Sequence, residues 1–276
     1  MRKIRLLSFA VLLILTGCAG IPRHQVSFGH LSDCPKLTPQ TLLDSHEQLG
    51  ASTETHILAC TLTFLRGNKD PALRRSSLGS RLCLHLAERE ADQGKRELLA
   101  AEGVSFAEAA IAHGGDGDGA VHYYLATNLG LAVREHITLA MDNLGRLETE
   151  LKRAVALSPE LDDGGPLRVL GALYLKAPAW PSGIGDRDKA LELLEQAVNK
   201  HPGHPLNHLF YAQALWEDDS EGNAARVQAE LATGLRLLEE GHWGYRKAAW
   251  RKEFDDFQQE MAGGGQPGNP PVAQAR

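Results

Sequence analysis

An all-α fold of stacked helical hairpins, a tetratricopeptide-like α-solenoid closed by a C-terminal capping helix, is what this sequence predicts. Three observations carry the prediction. The central stretch is rich in Ala, Leu, Glu and Arg, residues that lose little conformational freedom in a helix. Apolar stripes of helical period recur along it, broken by Gly, Pro and Asp clusters, with no convincing run of alternating strand residues. A pattern also repeats: Leu151-x2-Ala154-x4-Pro159 returns 43 residues later as Leu194-x2-Ala197-x4-Pro202.

The elements follow in chain order. Arg2, Lys3 and Arg5 precede an apolar run, Leu6 to Leu15, that is too short to span a bilayer, so residues 1–17 read as a secretory signal. Leu15-Thr16-Gly17-Cys18 matches the lipobox of bacterial lipoproteins, which makes Cys18 the expected lipidation site. Two or three acyl chains on one residue anchor stably. Ala19, rather than Asp, follows the cysteine. By resemblance to lipoprotein sorting in Gram-negative bacteria, that places the chain on the periplasmic face of the outer membrane. Residues 18–40 are then expected as a tether. Removing the signal takes away three positive charges and no acid, so the formal charge of −6 moves three units further negative. Such an acidic surface argues against nucleic acid as partner. Cys34, Cys60 and Cys83 then face an oxidising compartment, where three thiols allow one disulfide. Cys60 with Cys83, on neighbouring expected helices, is the favoured pair, and three buried small hydrophobes are the other reading.

Residues 41–261 form the expected helical domain. Ala190-x3-Leu194-x2-Ala197-x4-Pro202 has the form of the second helix of a tetratricopeptide hairpin: small residues where two helices cross closely, then Pro as a stop. Leu170-Gly171-x2-Tyr174 has the form of the first helix. Tyr123, Ala126 and Leu129 look like a degenerate first helix. Ala212 and Leu215, followed by Ala225, Ala229 and Ala232, look like a third copy. Gly103, Ala107 and Ala110 suggest an earlier second helix, with Ala72 to Glu90 as its partner. Trp243, Tyr245, Trp250, Phe254 and Phe257 crowd into one segment, read as the cap that covers the last repeat in preference to a sticky surface. Residues 262–276, of Gly, Pro and Gln, are expected to be a disordered tail.

The repeat is longer than the standard 34 residues. In the middle hairpin the excess lies between the two helices. The stretch runs Gly164-Gly-Pro-Leu-Arg168-Val-Leu-Gly171-Ala-Leu-Tyr174, then a Pro-rich loop, then Gly185-Asp186-x2-Lys189-Ala190. This order resembles the T-component (TatT-type) lipoproteins associated with TRAP transporters, specifically so across residues 164–202. The resemblance implies an all-helical lipoprotein that can assemble as a homotrimer. It also implies docking of a periplasmic solute-binding protein and passage of an apolar or organic-acid ligand. A general scaffold for outer-membrane or peptidoglycan machinery is the alternative.

Candidate binding residues come from the loop and from helix register. Pro178 and Pro181 flank Trp180, which either meets a partner or fills a gap between repeats. Asp186 is expected to cap the helix that follows. Aligning Gly171 with Ala126 turns Arg168, Lys176, Tyr123 and Thr127 toward the concave side, with Gln213 and Trp216 in the third unit. Concave solenoid faces commonly bind partners. Arg168 has two readings, a clamp on a ligand carboxylate or an ion pair with Glu160, Asp162 or Asp163. His201, His204 and His208 have ligand-like spacing, but Pro202 and Pro205 intervene and no further ligand completes a site, so no metal or cofactor is expected. Asp116-Gly-Asp118-Gly opens like a calcium loop, yet its twelfth position is Thr127 and not Glu, which leaves a Gly-rich turn. Gly183-Ile-Gly185 is too short to cradle phosphate. No nucleophile elbow or zinc-protease motif occurs, so the expected role is binding and not catalysis.

Overall fold

The computed structural model describes residues 24–45 and 48–263. Cys18, the signal segment and the expected tail from Gly264 onward lie outside the described residues. Among those described, the chain is all-α. A short α1 (Pro39–Ser45) and α2 (Thr55–Gly67) lead, through α3 (Pro71–Arg74), into four hairpins. These are α4 (Leu78–Arg89) with α5 (Gln93–Ala110), α6 (Gly119–Val133) with α7 (Ile137–Leu157), α8 (Leu161–Lys176) with α9 (Arg187–Lys200), and α10 (Pro205–Asp218) with α11 (Ala224–Glu240). α12 (Arg246–Ala262) closes the stack against α10 and α11.

The repeat signature works as sterics requires. Leu151, Ala154, Leu194, Ala197 and Leu231 are fully buried between the helices of their hairpins. At Gly171 a Cβ would stand 2.6 Å from Leu194 Cγ, so the crossing of α8 and α9 at this distance depends on the missing methyl. Side-chain oxygens start several helices, with Asp70, Asp92, Asp118 and Asp186 each accepting from a first-turn N–H. Asp186 caps α9 as expected, and Asp118 caps α6. Asp116 pairs with Arg153, so the Asp-Gly-Asp-Gly segment is a helix-joining turn.

Two expectations change. The part of the expected tether from Val26 onward is fastened to the fold. Val26 is buried, its carbonyl accepts from Arg66 Nη1 at 3.0 Å, and Phe28 lies under the Arg66 guanidinium. The disulfide joins Cys34 to Cys60, with Cα atoms 5.6 Å apart, and not Cys60 to Cys83. Neighbouring helices do not by themselves bring two Cβ atoms together. Cys83 is turned into the core instead, where burial, and then the charge of Glu102, pushes its thiol pKa well above the ordinary value.

The capping helix forms as expected. Trp250, Phe254 and Phe257 are buried on its inner side, and Trp243 packs on Trp250 with ring centroids 5.4 Å apart.

Candidate functional site

The first helices of the hairpins, α4, α6, α8 and α10, line one groove with α12, enclosing a cavity of about 660 Å³. Leu131 and Leu147, Val169 and Leu173, and Phe210 form apolar walls. Four acids, Glu88, Glu90, Asp162 and Glu253, stand among four guanidinium groups, Arg96, Arg134, Arg168 and Arg246, so the groove carries no net charge.

Its floor is built on a backbone irregularity. α8 begins with three consecutive residues at positive φ: Asp162 (51°), Asp163 (50°) and Gly164 (82°). Non-glycine residues adopt this region at a cost, and it persists where surrounding contacts over-determine it. Asp162 Oδ2 accepts from Tyr123 Oη at 2.8 Å and from Arg168 Nη2 at 3.1 Å, while Oδ1 lies 3.6 Å from Arg246 Nη1. Arg168 Nη1 donates to Asn207 Oδ1 at 2.8 Å and to the Asp163 carbonyl at 3.3 Å. Asn207 Nδ2 in turn donates to the carbonyls of Asp163 and His201. The turn is thus held from α6, α8, α10 and α12 at once.

The electrostatics agree. Burial alone would raise the Asp162 pKa, but Arg168 and Arg246 hold it down at about 2. Tyr123 is pushed well up, by burial first and then by the Asp162 carboxylate. For Arg246 burial works against the charge, yet Glu88 and Asp162 raise its pKa above the ordinary value. Arg246 Nε also lies 3.2 Å from Glu88 on α4, and Tyr245 Oη bonds the same carboxylate. Glu253 is accessible at the groove mouth but surrounded by protein, which raises its pKa.

The residues expected on the concave side separate into two groups. Tyr123, Thr127 and Arg168 line the groove together. Arg168 is buried and its two Nη atoms are committed to Asp162, Asp163 and Asn207, so it is the internal ion pair and not a ligand clamp. Lys176, Gln213 and Trp216 do not line it, because the cavity ends one turn earlier on α8, at Leu173, and on α10, at Phe210. Lys176 pairs with Glu217 at 3.1 Å. Gln213 and Trp216 are half-buried along α10. Trp180 does not fill a gap: it is 85% exposed. Pro178 and Pro181 beside it are exposed as well, the Trp180–Pro181 peptide is cis, and the loop is braced by Gly185 N–H to Pro178 O at 2.8 Å and Asp186 N–H to Tyr174 O at 3.0 Å. A Cβ on Gly185 would come within 2.2 Å of the Ala177 carbonyl, so the closed loop needs glycine there.

The three closely spaced histidines have three separate surroundings. The His201 ring lies against Gly164, His204 packs between Trp243 and Trp250, and His208 binds Glu230 at 2.6 Å. Among the described residues no group of three or more His, Cys, Asp or Glu side chains is placed to hold a metal ion. The groove residues Arg246 and Glu88, and the buried Asn207 that braces the floor from beneath, were missed by sequence reasoning. Their only trace in the sequence is that Arg246 lies within the aromatic segment read as a cap. No protein-family model matches the chain, and no curated protein matches it either.

Proposed function

We propose that this chain is a lipoprotein, acylated at Cys18 and held on the periplasmic face of the outer membrane, whose groove holds a segment of a partner protein. The observation that carries the reading is the groove: apolar walls, a balanced set of charges and a floor locked by the Asp162–Arg168–Arg246 cluster. Arg168 offers a free organic anion no open Nη, since each is already bound within the fold. An amphipathic peptide segment matches both walls and charges. The disulfide between Cys34 and Cys60 supports an oxidising compartment. The order of motifs across residues 164–202 favours a TRAP-type solute-binding protein as the partner.

The test is capture from envelope extract by the wild-type chain and by Thr127→Trp and Ala172→Trp, which fill the groove from α6 and α8. A solute-binding protein retained by wild type and lost by both variants, with melting unchanged, supports the reading. Partners from peptidoglycan or outer-membrane assembly point to the general scaffold. Capture indifferent to both variants removes the groove from the account.

A further inference from the structure

A second cavity, of about 390 Å³, opens on the other side of the first hairpin, between α2, α3 and α5. Its floor is apolar, formed by Leu65, Leu73 and Phe106. Its rim is basic. Lys69 and Arg74 are exposed and have no ion-pair partner among the described residues. The one acid on its lining, Glu102, is neutralised by a two-pronged bond from Arg66, at 2.8 and 2.7 Å. Asp70, next to Lys69, turns its carboxylate onto the N–H groups of Ala72 and Leu73. The cavity therefore carries a local excess of positive charge in a chain whose total is −6.

Its place in the fold matters as much as its charge. Gln25 forms part of the wall, and Val26, Phe28 and Cys34 fasten the segment that follows to α2. Six residues lie between Cys18 and Gln25, so seven steps of ~3.5 Å reach at most about 25 Å. Those residues include Arg23 and no acid.

We propose that this cavity takes the phosphodiester headgroup of an anionic phospholipid in the bilayer that holds the anchor. The cations Lys69 and Arg74 meet the phosphate, and the glycerol and first methylenes lie on Leu73 and Phe106. The inference rests on the acylation of Cys18 proposed above. The headgroup contact fixes which face of the solenoid meets the membrane, a task that a flexible lipid anchor alone does not perform. A chain of net negative charge is repelled by an anionic surface unless a local basic site overcomes the repulsion.

The test uses the full mature chain with Cys18→Ser, so that no acyl group contributes, sedimented with vesicles at low salt. Expected is binding to vesicles of phosphatidylglycerol mixed with phosphatidylcholine and none to phosphatidylcholine alone. At about fivefold per basic residue, Lys69→Glu with Arg74→Glu should weaken that binding more than tenfold, with melting unchanged. Equal binding to both vesicle types, no binding to either, or indifference to the double variant overturns the proposal. Full displacement by inorganic phosphate at constant ionic strength does so too, because the site then serves a soluble anion. Failure of acylation shows separately, as a wild-type chain that takes up no labelled palmitate in cells.

Discussion

Two buried histidines behind the groove, His85 on α4 and His204 just before α10, and the Asp162 carboxylate make the fold sensitive to acid. Burial, and then the positive field of Arg246 and Arg81, lowers the His85 pKa to about 3. Burial, and then Arg168, lowers that of His204 to about 2. Both rings are neutral in the folded protein, whereas an unfolded histidine takes up a proton near pH 6.5. The unfolded state therefore binds more protons below that pH, and stability falls as the medium is acidified from about 6.5 toward the folded values. Each histidine contributes about 1.4 kcal/mol per pH unit to that slope. Asp162 adds a later loss, since its contribution is present above about 3.9 and disappears as pH falls through about 2. His208 has the opposite sign: burial opposes its charge, but the bond to Glu230 raises its pKa, so its contribution is lost as pH rises through the folded value. Chemical denaturation at steps between pH 7 and 5 should show stability decreasing with acid. His204→Phe, which keeps a ring against Trp243 and Trp250, should remove about half of the slope. A flat profile from the wild type would mean that these rings are not buried as described.

At the scale of the hairpin, a histidine–glutamate staple recurs. His122 Nδ1 lies 2.6 Å from Glu150 on α7 and its Nε2 2.8 Å from the Asp116 carbonyl. His208 repeats this on Glu230 of α11 and the Pro202 carbonyl, at 2.6 and 2.8 Å. Each staple ties the turn six residues upstream to the second helix of its own hairpin. By register from Ala126, Gly171 and Ala212 on the first helices and from Leu151, Leu194 and Leu231 on the second, the middle hairpin has Leu167 and Leu193 at the same two places. Removing one partner leaves a buried polar group unpaired, at about 1–3 kcal/mol, while removing both costs much less. Glu150→Leu alone should therefore destabilise by about 2 kcal/mol, and His122→Leu with Glu150→Leu should recover most of it. Additive losses in the double-mutant cycle would count against the staple. The hairpins themselves were legible in sequence because the close crossings need Gly171, Ala154 and Ala197 at fixed spacing, and such spacing survives as a pattern. The staples were not, because two apolar residues satisfy the same positions and no single motif marks them.

Across the whole molecule, the last helix ties the repeats together. Arg246 on α12 joins Glu88 of the first hairpin to Asp162 of the third, 158 and 84 residues away in the chain. This explains which parts of the site were legible in sequence. Helix register alone placed Tyr123, Thr127 and Arg168 on one face, since they belong to regular helices. It extended that face to Lys176, Gln213 and Trp216 because periodicity says nothing of where a crossing helix stops a cavity. It also missed Asn207 and Arg246, which depend on a left-handed turn and on long-range closure. Trp180, held outward on its braced loop, is the other exposed feature against which the proposed groove site has to be tested. Hydrogen–deuterium exchange on the full mature chain, with and without the captured partner, separates the two most directly. The account predicts new protection along the groove faces of α6 and α8 and in α12, with the Trp180 loop changing less. Protection confined to residues 177–186, with the groove helices unaffected, would contradict it.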